Sequence, residues 1–287
     1  MLSPITTRND FGIELSDVTA QHPAASVGAP PAIQDLSLVI APGEHVAIIG
    51  PSGSGKTSCL LVIAAALKVE SGNASLNNQS VWKLSTSKLQ KLRGNLFYAP
   101  QAPPLPPRQR VITALLAAKL PGQSFFASLM SLIYPRDIKE ASTALAQFDL
   151  ADKLWQRVDR LSGGERQRVG LARALLAPAK IWLIDEPLSA LDPTRARQAI
   201  DSLIAHAKEH GITLITSLHQ VDVATSQFPR VIGLRDGKLV FDLPSGEVSK
   251  ERLADLYRQH EHELDQTTPV SLDSSPEPAP VKIIHCR

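Results

Sequence analysis

The sequence predicts an α/β fold with a parallel sheet and an inserted, mainly helical subdomain. A glycine-rich segment at residues 50–57 lies between a short apolar stretch and a helical one, which is typical of a strand–loop–helix unit. Short apolar strands and a longer amphipathic segment alternate between residues 181 and 218, the pattern of parallel βαβ units. Residues 111–156, in between, read as helices. A chain of 287 residues is long enough to bury the core that this fold needs.

Composition places the chain among ordinary globular proteins. Apolar residues make up 43% and charged residues 20%, and 30 Lys and Arg against 28 Asp and Glu leave a formal charge of +2. We expect no nucleic-acid partner, because nucleic-acid binding calls for a basic excess. The longest apolar run, residues 59–67, is about half the roughly 20 residues of a membrane-spanning helix. Residues 1–10 lack a secretory signal pattern and the chain has two cysteines, so we expect a reducing, cytosolic environment.

The first third of the chain predicts strands followed by a helix. Residues 36–40 alternate apolar and polar positions, and residues 45–49 follow a Pro-Gly turn, so both predict strands. Residues 57–68 are apolar over the length of a helix. Residues 76–87 are rich in Asn and Ser and predict a strand and a loop.

The middle of the chain begins with a proline-rich segment. Five prolines within residues 100–107 exclude a helix and predict an extended segment, of the kind that often contacts a partner. Residues 111–156 then predict several helices, with breaks at residues 121–122 and at Pro135.

The last third returns to alternating strands and helices. Residues 181–184 predict a short strand, residues 194–210 an amphipathic helix, and residues 212–218 a second buried strand. An Asp-Gly pair within residues 231–242 predicts a tight hairpin. Beyond about residue 262 the chain is rich in Thr, Ser and Pro, which predicts a disordered tail.

Residues 50–57 match the phosphate-binding pattern G-x-x-x-x-G-K-[ST] in its required strand–helix context. Glycines let backbone N–H groups surround phosphate oxygens, and a helix N-terminus adds positive potential. Lys56 is placed to reach the β and γ phosphates of a nucleotide, and the Thr57 hydroxyl to bind Mg²⁺. The alternative is a flexible Gly-Ser turn. The predicted nucleotide-binding residues are Gly50, Pro51, Ser52, Gly53, Ser54, Gly55, Lys56 and Thr57.

Two carboxylates follow the strand at residues 181–184. Ligands of open α/β sheets bind at the carboxyl ends of strands, so Asp185 is placed to hold Mg²⁺ and Glu186 to accept a proton from the water that attacks the γ phosphate. Taken alone, Asp-Glu at a strand end also fits a solvated turn. Its pairing with the phosphate loop favours nucleotide hydrolysis.

A second anion site is predicted at residues 161–168. Ser162 and Glu165 form an S-x-x-E capping box that opens a helix running to about residue 177. Gly163 and Gly164 leave backbone N–H groups exposed at that helix start, where a phosphate could bind. The alternative is a well-capped helix with no ligand. Because the chain already has one phosphate loop, the second site is a separate anion site.

These motifs resemble the ATP-binding cassette (ABC) family, in which the segment Leu-Ser-Gly-Gly-Glu closes over ATP held by the phosphate loop of a second subunit. The resemblance covers about residues 11–260. It implies an α/β fold with a RecA-like P-loop NTPase core, an antiparallel β subdomain and a helical subdomain at about residues 102–165. We therefore expect an ABC ATPase domain at residues 11–262, flanked by an extension at 1–10 and a disordered tail at 263–287.

The resemblance also implies roles for single residues. Gln101 corresponds to the family glutamine that senses Mg²⁺ and the attacking water and contacts the membrane partner; the alternative is a solvated loop residue. Asp192, in Ser-Ala-Leu-Asp, corresponds to a contact with the other subunit. His219 corresponds to the switch histidine that bonds the γ phosphate; the alternative is an ordinary strand-end histidine. In the family an aromatic residue stacks on adenine; here the matching place holds His22 instead, so either its smaller imidazole or another residue takes that role.

The resemblance implies cofactors and partners as well. They are ATP, Mg²⁺, a homodimer, two transmembrane permease subunits and a periplasmic or extracellular solute-binding protein, with this chain peripheral on the cytoplasmic face of the inner membrane. Residues 217–222 and 230–242, and an insert with Phe125, Phe126 and Tyr134, are similar to phosphonate-importer ATPases. Alternatives are a motor for a polar amino acid or for lipoprotein release, and a soluble ABC protein without transport.

Overall fold

A computed structural model of the chain describes residues 11–22, 25, 26, 28–123 and 137–258. Within this part of the chain, every helix is too short or too polar to cross a lipid bilayer. Several predictions lie outside the described residues, namely those for residues 1–10, for Phe125, Phe126, Tyr134 and Pro135, and for the tail.

The described strands and helices follow the alternation that the sequence predicts. In chain order the strands are β1 (Ile13–Ala20), β2 (Ile33–Ile40), β3 (His45–Ile49), β4 (Ser71–Leu76), β5 (Gln79–Ser80), β6 (Leu96–Ala99), β7 (Ile181–Asp185), β8 (Thr213–Ser217), β9 (Arg230–Arg235) and β10 (Lys238–Pro244). The helices are α1 (Lys56–Ile63), α2 (Thr86–Arg93), α3 (Val111–Leu116), α4 (Ile138–Ala146), α5 (Gly163–Leu176), α6 (Pro193–Glu209), α7 (Val221–Gln227) and α8 (Lys250–Leu256).

The first sheet is antiparallel and has the order β2-β1-β4-β5. In its register Ile13 lies opposite Ile40 on one side and Leu76 on the other. Buried and exposed residues alternate along β2, as expected for a sheet with one face on a core and one in water. That core also contains Leu60 of α1 and Ile48 of β3, so the antiparallel sheet and the phosphate-loop helix are packed together.

The second sheet has the order β10-β9-β3-β8-β7-β6. β10 pairs with β9 as an antiparallel hairpin, and the other pairings are parallel. Every residue of β3, β7 and β8 is buried. β3 and β7 are mostly apolar, as expected for strands covered on both faces, whereas β8 also buries the hydroxyls of Thr213, Thr216 and Ser217. Because the carboxyl ends of parallel strands meet at one edge, the residues after β3, β7 and β8 come together there.

The strand and helix predictions for the last third are confirmed. β7, α6 and β8 occupy the predicted segments, and the β9–β10 hairpin turns at Asp236-Gly237, both of which have positive φ. α5 begins behind the predicted capping box at Ser162, whose hydroxyl accepts a hydrogen bond from the Glu165 N–H. Pro193 at the first position of α6 supports the start of that helix.

Two predictions in the first half are wrong in extent. The helix predicted over residues 57–68 ends at Ile63, because Ala65 takes a left-handed conformation with φ 56° and Leu67 turns into the core. The loop predicted up to residue 87 gives way to α2, which begins at Thr86. α2 buries only Leu92, so it lacks the apolar periodicity by which a helix is recognised in sequence.

The proline-rich segment contains no α-helix, as predicted, and it packs on α5. A Cβ atom at Gly170 of α5 would lie 2.6 Å from the ring of Pro103, so glycine permits this close approach. Short helices follow at α3 and α4, with 3₁₀ turns at Ala117–Gly122, Ala151–Lys153 and Val158–Arg160. The boundaries of a helical subdomain stay a prediction.

Candidate active site

The loop between β3 and α1 has a backbone that only glycine allows at two positions. Gly50 and Gly55 have φ of 151° and 99°. A Cβ atom at Gly50 would lie 2.0 Å from the Leu234 carbonyl oxygen, and one at Gly55 would lie 2.4 Å from the Ala32 carbonyl oxygen. The loop is therefore packed against two other segments of the same chain, which fix its curvature.

Lys56 is buried and its side chain folds back across this loop. Its Nζ donates to the carbonyl oxygens of Gly50 at 2.8 Å and Pro51 at 3.1 Å. This arrangement holds an ammonium group at the centre of the loop, where anionic oxygens would be attracted. Thr57, the next residue, is half-buried at the start of α1.

A cavity of about 350 Å³ opens beside the loop. Its lining includes Ser52, Gly53, Ser54, Gly55, Lys56, Thr57, Glu186 and His22. The structure therefore brings six of the eight predicted loop residues, the predicted base and the predicted adenine contact to one cavity, whereas Gly50 and Pro51 do not line it. The residues that line it also include Ala32, which the sequence analysis missed.

Asp185 ends β7 and is 3% exposed. Its Oδ1 accepts a hydrogen bond from the Ser217 hydroxyl at 2.6 Å, and its Oδ2 lies 3.4 Å from the Tyr98 hydroxyl. Burial, together with the nearby Asp185 charge, raises the pKa of Tyr98. The phenol therefore stays protonated and can donate a hydrogen bond to the carboxylate. Both partners were missed in the sequence analysis.

Glu186 stands at the centre of a hydrogen-bonded group. Its Oε2 accepts from Gln101 Nε2 at 2.6 Å, and its Oε1 lies 2.6 Å from His219 Nε2. Since a carboxylate only accepts hydrogen bonds, His219 Nε2 carries the proton of that contact. Glu186 itself takes a left-handed conformation with φ 46°, which is uncommon outside glycine.

The surroundings of Glu186 keep it ionised. The hydrogen bond from His219 is the largest cause that lowers the pKa of Glu186, and the charge of Lys56 and the Gln101 amide act in the same direction against partial burial. A carboxylate with a lowered pKa is charged at neutral pH. It is therefore in the protonation state that can accept a proton from water.

The donor set at this edge suits Mg²⁺. Mg²⁺ prefers oxygen ligands, and the Asp185 carboxylate and Thr57 hydroxyl are oxygen donors, as is the free carbonyl end of the Gln101 amide. The Asp185 carboxylate is also fixed by neighbouring hydroxyls, as metal-binding carboxylates commonly are. The residues predicted to hold the metal thus fit its chemistry.

The predicted second anion site lies at the start of α5. The Ser162 N–H donates to Glu165 Oε2 at 2.7 Å, completing the capping box, and this bond lowers the pKa of Glu165. Gly163 faces open space, whereas a Cβ atom at Gly164 would lie 2.9 Å from the Ala190 carbonyl oxygen. Ser162, Gly163 and Gly164 are not among the residues that line the phosphate-loop cavity.

Asp192 lies two residues after Ala190 and is the N-cap of α6. Its carboxylate accepts from the Arg195 N–H at 3.1 Å, and this bond lowers the pKa of Asp192. The side chain is exposed, on the same loop that touches the start of α5. In the isolated chain it therefore has a local capping role, and its contact with another subunit stays a prediction.

One family matches the chain over more than half of its length. Residues 33–189 match the family described as ABC transporter. The chain belongs to the ABC transporter family. The resemblance drawn from its motifs is thereby confirmed, and with it the α/β P-loop fold class.

Several proteins are similar to this chain over most of its length. A protein of Albidiferax ferrireducens named phosphonates import ATP-binding protein PhnC 2 is 56% identical over 96% of this chain and 99% of its own. Phosphonates import ATP-binding protein PhnC of a Polaromonas species is 55% identical over 96% of this chain and 100% of its own. A third, from Pseudomonas fluorescens, is 48% identical over 79% of this chain and 85% of its own.

Solved structures agree on the ABC fold. A dimeric ATP-binding cassette in a post-hydrolysis state, bound to ADP and Pi, superposes with a TM-score of 0.70 at 28% identity, over 81% of this chain and 98% of that one. A nucleotide-free ATP-binding cassette from an ABC transporter superposes with a TM-score of 0.67 at 21% identity, over 88% of this chain and 98% of that one.

The imidazole of His22 predicts modest selectivity between nucleotides. Contacts from Lys56 and from backbone N–H groups do not distinguish bases, so discrimination depends on what packs on the base. Stacking on a full aromatic ring is worth about 1–3 kcal/mol, and an imidazole is smaller. We expect GTP to be hydrolysed within about tenfold of the ATP rate, since tenfold corresponds to about 1.4 kcal/mol. Steady-state kinetics with both nucleotides measures this ratio.

The matched variants are His22→Tyr, expected to tighten ATP binding by up to about tenfold, and His22→Ala, expected to weaken it. Strong rejection of GTP by the unaltered protein, with unchanged ATP affinity in His22→Ala, would assign the adenine contact to another residue.

Proposed function

We propose that this chain is the ATP-hydrolysing subunit of a membrane importer for phosphonates. The observation that carries the proposal is its 56% identity, across nearly the whole of both chains, with a protein named for phosphonate import. The site supports the ATPase half of the proposal, because an ionised glutamate lines the same cavity as a phosphate-binding loop.

In the proposed mechanism, the backbone N–H groups of the loop and Lys56 hold the phosphates of ATP. Thr57 and Asp185, with Gln101 nearby, would hold Mg²⁺, which would supply positive charge against the phosphate oxygens. Glu186 accepts the proton of the attacking water, and His219 and Gln101 hold the carboxylate in place at 2.6 Å each. His219 bonds the γ phosphate when ATP is present.

The assembly proposed for this chain is a homodimer on two transmembrane permease subunits, with an external solute-binding protein, at the cytoplasmic face of the inner membrane. One chain has a phosphate loop and a separate helix start at which Gly163 is exposed, and each would complete the site of the other copy. The dimeric cassette that superposes on this chain supports such an arrangement.

Growth on a phosphonate tests the cargo. Cells that lack this chain, and have no second importer, should fail to grow with a phosphonate as the sole phosphorus source, because nothing then powers uptake. The same cells should grow normally on inorganic phosphate, which serves as the control for general fitness. Normal growth on the phosphonate would refute phosphonate as the cargo.

Co-purification and growth experiments distinguish phosphonate import from the alternative functions. A motor for a polar amino acid or for lipoprotein release would also co-purify with a polytopic membrane protein, but its loss would leave phosphonate growth intact. A soluble ABC protein would purify without a membrane partner. The identity of the full-length relatives favours phosphonate over both.

A further inference from the structure

Ser217 joins the two acidic residues of the candidate site. It is the last residue of β8 and is fully buried. Its hydroxyl donates to Asp185 Oδ1 at 2.6 Å and accepts from the Glu186 backbone N–H at 2.9 Å. A serine hydroxyl has one proton to donate, so its donor capacity is used on the Asp185 carboxylate.

The position of Ser217 follows from the register of the central sheet. β7 and β8 are parallel neighbours, and Asp185 lies directly opposite Ser217 in their register. The chain thus ends both strands at the same level, with Glu186 following one and His219 two residues after the end of the other. A hydroxyl at this point reaches the side chain of Asp185 and the backbone of Glu186 together.

We propose that Ser217 is a positioning residue for ATP hydrolysis, holding the Asp185 carboxylate toward the metal and the Glu186 backbone in its left-handed turn. This inference rests on the proposed function. The Ser217 bond occupies Oδ1, and the other oxygen has the longer contact, 3.4 Å from the Tyr98 hydroxyl. Oδ2 is therefore the more weakly held oxygen and the one available to the metal.

Loss of the hydroxyl would act on both acidic residues. Without it, Asp185 Oδ1 loses its shortest hydrogen bond and can rotate. The N–H of Glu186, a residue already in an uncommon conformation at φ 46°, is left without its acceptor in a half-buried place. Groups that orient metal ligands in this way typically contribute 10–100-fold to metal affinity or to activity.

The test compares Ser217→Ala with Thr216→Val. Thr216 is equally buried on the same strand, but its hydroxyl donates at 2.9 Å to the Ile184 carbonyl oxygen rather than to the acidic pair. We expect Ser217→Ala to raise the half-saturating Mg²⁺ concentration about 10–100-fold and to lower kcat by a similar factor. Thr216→Val should leave both near the unaltered values, and Ser217→Cys, with its weaker donor, should fall between.

Calorimetry supplies a readout that does not need turnover. ATP affinity is measured for each variant with Mg²⁺ and with EDTA. Ser217→Ala should lose most of the gain in affinity that Mg²⁺ provides, while its affinity in EDTA stays unchanged. Thermal unfolding of both variants measures what the loss of a buried hydroxyl costs in stability alone.

The outcomes separate this inference from the proposed function. Equal Mg²⁺ dependence and equal kcat for Ser217→Ala and Thr216→Val would overturn the positioning role, even if both variants lost stability. An unaltered protein that does not hydrolyse ATP would overturn the proposed function instead, and the calorimetric comparison would still decide the role of Ser217.

Discussion

Glu186→Gln should lower ATP hydrolysis by about 10² to 10⁴, the usual contribution of a positioned general base. The substitution removes the group that accepts a proton from water but keeps the size of the side chain. The lining of the phosphate-loop cavity is otherwise intact, so ATP should still bind with near-normal affinity. Phosphate release from purified protein measures turnover, and equilibrium binding of labelled ATP measures retention of the nucleotide.

Glu247→Gln is the matched control for this substitution. Glu247 is exposed on a 3₁₀ turn after β10, away from the cavity. Its substitution by Gln removes the same charge as Glu186→Gln does. Its turnover should equal that of the unaltered protein. Near-normal turnover by Glu186→Gln would assign the base to another residue, whatever the control shows.

Ser162→Arg should abolish ATPase activity while the isolated chain still binds ATP. The substitution places bulk and positive charge at the start of α5, in the site proposed to close over the ATP of a second copy. The phosphate loop of the same chain is untouched, because Ser162 does not line its cavity. Sedimentation of the Glu186→Gln protein with ATP should show a dimer. The double variant that carries both Glu186→Gln and Ser162→Arg should stay monomeric under the same conditions.

The control for Ser162→Arg is Ser249→Arg. Ser249 is also an exposed N-cap, accepting from the Arg252 N–H at 3.3 Å at the start of α8. It loses the same kind of cap, worth about 1 kcal/mol, and gains the same charge. Its ATPase rate and dimerisation should be unaffected. ATP-bound Glu186→Gln protein that sediments as a monomer would count against a shared site.

Much of the fold was readable from local patterns. β3 and β7 are buried on both faces and appear in the sequence as short, mostly apolar runs. The start of α5 was readable because the Ser162–Glu165 capping box is a local interaction across three residues. Signals of this kind depend on neighbouring residues, so they survive without knowledge of the tertiary structure.

The features that were missed depend on tertiary contacts. α1 ends at Ile63 although alanines, which favour helix, follow; burial of Ala65 and Leu67 in the core overrides that preference. α2 lies mostly in solvent and buries one leucine, so it has too weak a periodicity to recognise. Packing, rather than local preference, decides where α1 ends, whereas α2 has too few buried residues to give a recognisable pattern.

The sequence predicts those site residues that occupy fixed positions of a local motif. It does not predict residues that reach the site only through the pairing of two strands. Lys56 and Glu186 stand at fixed positions of local patterns, and the structure places them on one cavity. Ser217 contacts Asp185 because β7 and β8 are parallel neighbours, although 32 residues separate them in the chain. Predicting the contact of Ser217 with Asp185 would require knowledge of the strand order and of the register between β7 and β8.

The most direct test of the account is uptake of a radiolabelled phosphonate by cells whose only copy of this chain is either the unaltered protein or Glu186→Gln, made in equal amounts. We predict uptake well above background with the unaltered protein and background uptake with Glu186→Gln, because import is powered by ATP hydrolysis for which Glu186 is the proposed base. Equal uptake with both proteins would contradict the assigned base, and background uptake with both would contradict phosphonate as the cargo.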